Sequence, residues 1–265
     1  MFERLRRVRH LGFVVVAPLL AAPPLSGADH LTTEQVRNAA AAAPPGKLDL
    51  SGRNMSGDDL SGLDLSGANL ARAILVGADL QGVKLVRADL TGADLSGANL
   101  NHTWIMRANF TRARLRGVSM QTVVTSTGME NTREEAATFV DADLSGASLT
   151  VHFSYDDMRG ADFSGARMTV NMANQSMGLL RTEFMSANLD GANFTGAGLG
   201  HVTFRFAKLN RAHFNNADLT DTDFTGAYLT GADFTGATVR GATFEAATLT
   251  DVKGLDLSAT AGHEK

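Results

Sequence analysis

Two groups of side chains in this 265-residue chain have types and spacings that could support chemistry. The first places an imidazole, a phenol and two carboxyl groups within six residues: His152, Tyr155, Asp156 and Asp157. Such groups can transfer protons or bind a metal ion, but no second half of a metal motif accompanies them. We therefore expect a solvated bend in this segment.

The second group is a cluster of four methionines: Met168, Met172, Met177 and Met185. Thioethers bind Cu(I), so a metal-binding module is one interpretation, and copper titration of the protein would test it. Methionine also fills irregular gaps in a core, and these residues fall where the spacing of apolar residues is irregular. We favour packing, and we predict no metal site.

Composition argues against several functional classes. The chain has no cysteine, which excludes disulfides, thiolate metal sites and a cysteine nucleophile. With 24 basic and 28 acidic side chains, it lacks the positive excess of a surface that binds nucleic acid. No nucleophile elbow, phosphate loop or HExxH pattern occurs. We predict a protein that is not an enzyme, with no catalytic or cofactor-binding residue, no cofactor and no nucleic-acid partner.

The elements that would position any site are set by a five-residue repeat. An apolar residue falls at every fifth position over 50–120 and again over 184–249. Alanine often stands two positions earlier, with Asp or Asn between, as in Ala88, Asp89 and Leu90. In an extended segment, residues two apart point the same way and the residue between them points outward. Short extended segments alternating with bends would therefore bury Ala and Leu inside an all-β solenoid.

Phenylalanine recurs every ten residues in the C-terminal repeats and alternates with aliphatic residues. The series is Phe184, Phe194, Phe204, Phe214, Phe224, Phe234 and Phe244. Coils of fifteen residues would stack Phe on Leu, whereas coils of twenty would stack Phe on Phe. Coils at sheet spacing lie about 4.8 Å apart, which suits offset ring stacking. The alternation favours a four-sided coil of twenty residues.

The repeat resembles that of the pentapeptide-repeat proteins, whose unit reads Ala-(Asp/Asn)-Leu-x-x. The match is close at 88–92, 93–97 and 232–236, and it covers nearly all of 48–249. The resemblance implies a right-handed quadrilateral β-helix of stacked 20-residue coils. It does not imply one function, although the best-understood members are cytoplasmic dimers that resemble DNA in shape and charge and bind DNA gyrase.

The N-terminal segment, 1–28, has the three parts of an export signal. Four arginines within 4–9 precede an apolar run over 11–20, and small residues at 26–28 then allow cleavage between Ala28 and Asp29. The run is too short to span a bilayer, and no later segment could cross one. We expect a periplasmic or secreted protein, with the Sec and twin-arginine routes both open.

Composition and repeat spacing divide the rest of the chain into six segments. Residues 29–47 read as a short capping helix and linker, because Thr32 precedes an alanine-rich stretch that Pro44 stops. Arg53 and Asp58 fall at inward positions of the first coil, where we expect a solvated end. The remaining segments are repeat block one (48–120), an inserted loop (121–138), an irregular block two (139–183), block three (184–251) and a tail (252–265).

The inserted loop is the first candidate for a partner site, since loops on rigid scaffolds often carry function. Thr132 and Glu135 have the spacing of a capping box, which predicts a short helix. The candidate binding residues are Thr127, Met129, Glu130, Asn131, Arg133 and Glu134.

The functional expectation is an exported, non-enzymatic scaffold that binds an unknown protein or envelope component. We expect a monomer, because the tail lacks the long apolar segment of a dimerising end. The alternative is a cytoplasmic, DNA-mimicking protein that binds a topoisomerase such as gyrase, with Arg4 to Leu20 kept as an uncleaved arm.

Overall fold

The computed structural model describes residues 30–128, 131–168 and 181–260, and Ala28, Asp29, Met129, Glu130, Met172 and Met177 lie outside these ranges. The regular elements are helix α1 (Thr33–Ala42), strand β1 (Ser119–Gln121), strand β2 (Ser148–Thr150) and a short 3-10 helix (Leu257–Ala259). Strands β1 and β2 pair in parallel, with Met120 opposite Leu149. Most other pairing consists of single parallel bridges separated by turns.

The bridges form four ladders that stack successive coils of the chain. We number the ladders one to four by their members in the first coil, which are Asp49, Asn54, Asp59 and Asp64. Each of these residues pairs with the residue twenty positions later, as Asp49 does with Asn69. Two backbone bonds make such a rung, since Asn69 donates to the Leu48 carbonyl at 2.9 Å and accepts from the Leu50 amide at 2.8 Å. The expected 20-residue coil and solenoid are therefore present.

The core is the continuous interior of this stack. The apolar residue of each repeat and the alanine two positions earlier are buried together, as for Leu90 and Ala88. In the C-terminal repeats the phenylalanine rings form two stacks along the coil axis, and Phe204 lies 5.1 Å from Phe224 with nearly parallel planes. The two stacks meet edge to face across the interior, as between Phe204 and Phe194 at 5.5 Å. The predicted stacking of Phe on Phe is confirmed.

Turn chemistry at the corners explains the short polar residues. Asp89 Oδ1 accepts hydrogen bonds from the Thr91 amide at 3.0 Å and from the Thr91 hydroxyl at 2.5 Å. The second corner residue has positive φ, which suits glycine at Gly92 but is taken by arginine at Arg72 and Arg87. The corners thus combine Asx turns with left-handed residues.

Helix α1 lies against the first coil. Thr32 and Gln35 form a reciprocal capping box at the start of this helix, and Val36 is fully buried in the core. Arg37 donates to the Asp59 carbonyl at 3.3 Å. The expectation of a solvated end was wrong for Asp58, whose side chain is only 12% exposed. Thr33 donates to its carboxylate at 3.3 Å, and His30 Nε2 lies 3.5 Å away.

Three interruptions change the regular spacing, and the first also leaves ladder four without a bridge between Val124 and His152. In ladder one, Asn109 pairs with Thr138, which lies nine positions later than the regular spacing predicts. Val124 still pairs with Trp104, so the nine added positions lie between Val124 and Thr138. The loop is therefore shorter than 121–138, because β1 includes Gln121. The step from Ser148 to Arg167 is one position shorter than the regular twenty, and the step from His152 to Glu183 is eleven positions longer. These shifts match the irregular spacing of apolar residues in the sequence, and each occurs next to ladder four.

Candidate partner-binding site

The first candidate group, at 152–157, does not form a common centre. His152 is exposed on ladder four, and Tyr155 lies at the following corner with φ of 68°. Asp157 points outward on ladder one, where both of its carboxylate oxygens bond Arg159, at 2.8 and 2.7 Å. Asp156 instead points inward. These side chains therefore do not converge on a shared substrate or ion.

Asp156 contradicts the expected solvated bend, because it is only 3% exposed. It occupies the inward position that alanine fills in other repeats, two residues before Met158. Its Oδ1 accepts the Ala137 amide at 2.8 Å, while Oδ2 meets no hydrogen-bond donor in the described part of the chain. Burial raises the pKa of this carboxyl well above its usual value, although the bond from Ala137 opposes the shift.

The bond to Ala137 explains why an aspartate stands at this buried position. In a regular repeat the alanine amide donates to the carbonyl three residues earlier, as Ala142 donates to Phe139. Ala137 follows the insert, and Asp156 supplies the acceptor for its amide. An unpaired buried amide would cost about 1–3 kcal/mol. Asp156 therefore fixes the point where the insert rejoins the coil.

The second candidate group is placed only in part. Met168 is fully buried in the core cluster, Met185 is half-buried at a corner, and the other two methionines lie outside the described residues. No group of three or more His, Asp or Glu side chains within 30–128, 131–168 and 181–260 is arranged to hold a metal ion. The position of Met168 agrees with a packing role.

The insert is organised around the Glu135 carboxylate. This group accepts hydrogen bonds from the Thr127 hydroxyl, the Ser126 hydroxyl, the Thr127 amide and the Thr132 hydroxyl. These bonds, led by that of the Thr127 hydroxyl, lower the pKa of Glu135 to about 2. The predicted helix was wrong, since 133–135 form a single turn. Glu135 turns toward the incoming arm of the insert instead of capping a helix.

Three contacts hold the insert against neighbouring coils. Asn131 Nδ2 donates to the His152 carbonyl at 2.9 Å, and the Arg133 guanidinium lies 5.1 Å from the centre of the Tyr155 ring. Arg107 Nε donates to the Glu134 carbonyl. Thr127 therefore acts inside the insert, whereas Asn131, Arg133 and Glu134 lie where it meets the coils.

Sequence reasoning missed several exposed aromatic and basic residues along ladders four and one. Trp104 on ladder four is 37% exposed, and Lys84 lies over its ring with Nζ 5.8 Å from the centroid. Phe206, at the corner between ladders four and one, and Tyr228, on ladder one, are each about half exposed. A period of twenty assigns Trp104 to ladder four, but no sequence signal pairs Arg133 with Tyr155.

No helix in the described part of the chain is long and apolar enough to cross a bilayer. A core filled mostly by Leu, Phe and Ala and four parallel ladders of bridges define a repeat solenoid. The family model for pentapeptide repeats matches residues 54–92, 73–112 and 84–121, and the model for a pentapeptide repeat region matches residues 177–253. The chain belongs to the pentapeptide-repeat family.

Several solved structures are similar to this chain. HetL, a pentapeptide repeat protein involved in heterocyst differentiation regulation from the cyanobacterium Nostoc sp. strain PCC 7120, is 22% identical over 87% of this chain and 97% of its own, with a TM-score of 0.39. Full-length QnrB1, a plasmid-mediated fluoroquinolone resistance protein, is 21% identical over 78% and 90%, with a TM-score of 0.30. Rfr23 from the cyanobacterium Cyanothece 51142 is 20% identical over 66% and 88%, with a TM-score of 0.32. No curated protein sequence matches the chain.

Proposed function

We propose that this chain is an exported, monomeric, non-enzymatic scaffold that binds a protein or envelope partner through its insert. Its coil is right-handed and four-sided, with α1 covering the N-terminal end of the core. The observation that carries the proposal is the insert itself. It interrupts ladder four, contributes little to the core, and is nevertheless held in place by Asn131, Arg133 and Glu135.

An ordered insert on a rigid stack suits recognition, because its groups lose little conformational freedom when a partner binds. The coils below and above it are bridged in ladders one, two and three, so the insert has a fixed base. The interior on either side is filled with Leu, Phe and Ala, which supports binding at the surface over catalysis in a cleft.

A deletion can remove the insert while restoring the repeat. Joining Thr125 to Glu135 by removing 126–134 places Thr125 five positions before Phe139, which matches the regular spacing. A control variant replaces the same nine positions with a flexible Gly/Ser linker and so keeps chain length. We expect both variants to retain the far-UV circular dichroism of the parent and to lose capture of the envelope partner. Undiminished capture by either variant would refute the role of the insert.

Export is tested separately by intact mass and fractionation of the protein in its own host. The proposal predicts a chain that begins at Asp29 in the periplasmic or secreted fraction. A full-length chain in the cytosol would favour the alternative, a DNA mimic that binds a topoisomerase, and a gyrase supercoiling assay would follow. Mimicry is disfavoured by arginines that neutralise the outer carboxylates, such as Arg114 at 3.5 Å from Asp94 and Arg116 at 3.8 Å from Asp143.

A further inference from the structure

Three exposed arginines lie along the edge between ladders four and one, and we name them the arginine column: Arg87, Arg107 and Arg133. Arg87 and Arg107 take the same positive-φ corner position on successive coils, at 59° and 60°. The Arg87 amide donates to the Met106 carbonyl at 2.9 Å, and the Arg107 amide donates to the Glu135 carbonyl at 3.0 Å. The insert that carries Arg133 is therefore the next layer above Arg107.

Of the fifteen arginines in the described ranges, nine form no ion pair with a carboxylate, and the three of the column are among them. Six arginines in the described ranges form ion pairs with carboxylates: Arg112, Arg114, Arg116, Arg159, Arg181 and Arg205. None of the three arginines in the column has such a pair among the same residues. The three guanidinium groups and Lys84 outnumber the carboxylates in the described part of the insert, Glu134 and Glu135, so this edge has a positive excess that an anionic partner would complete.

Aromatic rings flank the column, and each has a cation over one face. Arg133 covers Tyr155 at 5.1 Å, and Lys84 lies over Trp104 at 5.8 Å. A ring face covered by a cation is closed to stacking by a nucleic-acid base. The ring edges still offer apolar surface beside guanidinium groups, and a guanidinium binds a carboxylate with two parallel N–H groups. The chemistry of the column therefore favours carboxylates over bases.

The length of the column indicates a polymer. Successive coils lie about 4.8 Å apart, so three layers cover on the order of 10 Å, more than one carboxylate can bridge. We infer that the arginine column binds an extended acidic segment of a partner polypeptide. Its carboxylates pair with the three guanidinium groups, and its apolar side chains lie against Tyr155 and Trp104. The inference rests on the proposed function, because it specifies the chemistry of the partner that binds at the insert.

Poly-L-glutamate is the probe, and Trp104, the single tryptophan of the chain, is the reporter. Titration of the full chain at low salt should give a saturable change in fluorescence. The double variant Arg87→Gln/Arg107→Gln should raise the dissociation constant at least about tenfold, because two charge-assisted contacts are lost. The matched control, Arg72→Gln/Arg211→Gln, removes two exposed arginines with the same positive φ from a different edge and should leave the constant unchanged.

Several results would overturn the inference. One is an equal loss of affinity in both double variants, which would indicate binding to overall charge. Another is tighter binding of polygalacturonate or of a single-stranded oligonucleotide, which would identify a glycan or nucleic-acid site. A third is envelope capture that needs the insert but is not competed by poly-L-glutamate. That last result would overturn only the arginine column and leave the proposed function standing. The opposite result, binding of poly-L-glutamate without insert-dependent capture, would retain the column as an anion site and refute the scaffold role.

Discussion

The phenylalanine stacks allow the contribution of ring contacts to stability to be measured within one protein. Phe204 is fully buried and contacts four other rings, two stacked and two edge to face. Phe110 is equally buried but contacts only the Phe139 ring among the described residues. Replacing either with leucine removes the same atoms from the same kind of core. The cost of burying apolar area therefore nearly cancels in the comparison.

The expected difference follows from the number of rings. An aromatic pair is worth about 0.5–1.5 kcal/mol beyond its buried area. Phe204→Leu loses three more such contacts than Phe110→Leu, so its free energy of unfolding should be lower by about 1.5–4.5 kcal/mol. Leucine is the right replacement because it already fills the equivalent position in neighbouring ladders, as at Leu209.

Urea titration of the two variants and the parent, followed by far-UV circular dichroism, measures this difference. The slope of unfolding free energy against urea should be the same in all three proteins, because the stack remains intact. If the two substitutions lower stability equally, ring contacts add nothing beyond apolar burial. The alternation of Phe and Leu would then have no energetic meaning.

Three further predictions concern Asp156, Gly67 and Glu135. The pKa of Asp156 is higher in the folded protein than in the unfolded chain, so the parent loses stability as pH rises from the ordinary pKa of aspartate through the folded pKa. Asp156→Asn should therefore be more stable than the parent at pH 7 and lose this advantage near pH 3. Melting temperatures of the two proteins measured across pH would contradict the prediction if their difference stayed constant. Gly67→Ala should destabilise more than Gly62→Ala, since both have φ of 68° but only a Cβ at Gly67 meets the Gly46 backbone, at 2.9 Å; equal melting temperatures would contradict the clash. Glu135→Ala should speed hydrogen exchange at the Thr127 amide and leave the core amides unchanged, and an unaltered Thr127 rate would mean that the carboxylate does not order the insert.

The repeat could be predicted from sequence because each coil repeats the same local problem. One extended step and one corner turn recur in every repeat. Because Leu90 points inward, the residues twenty positions before and after it are predicted to point inward as well. The Phe stacks followed from that register alone. The burial of Asp156 was also within reach, since it stands two residues before Met158 and so falls at an inward position. Its polar neighbours in sequence indicate a solvated bend instead, and its place in the coil overrides them.

The insert could not be predicted in the same way, because no periodicity relates its residues to the coil. Glu135 has capping-box spacing with Thr132, yet hydroxyls on the opposite arm compete for its carboxylate and a turn forms instead of a helix. The contact between Arg133 and Tyr155 joins segments that the sequence separates by an irregular step. Such contacts depend on how many residues the chain adds at each corner, and only the structure shows that.

The alternation of phenylalanine and aliphatic residues in the core also limits which duplications the gene for such a protein can accept. Duplication of one repeat within 184–249 would rotate all later residues by one ladder and place phenylalanine over leucine throughout the remaining coils. Duplication of two repeats would match Phe with Phe again but would move the outer residues to the opposite side. Only a duplication of four repeats keeps both the core and the outer surface in phase. Length variation among such genes should therefore occur in whole coils, or at corners, where the added residues leave the ladders.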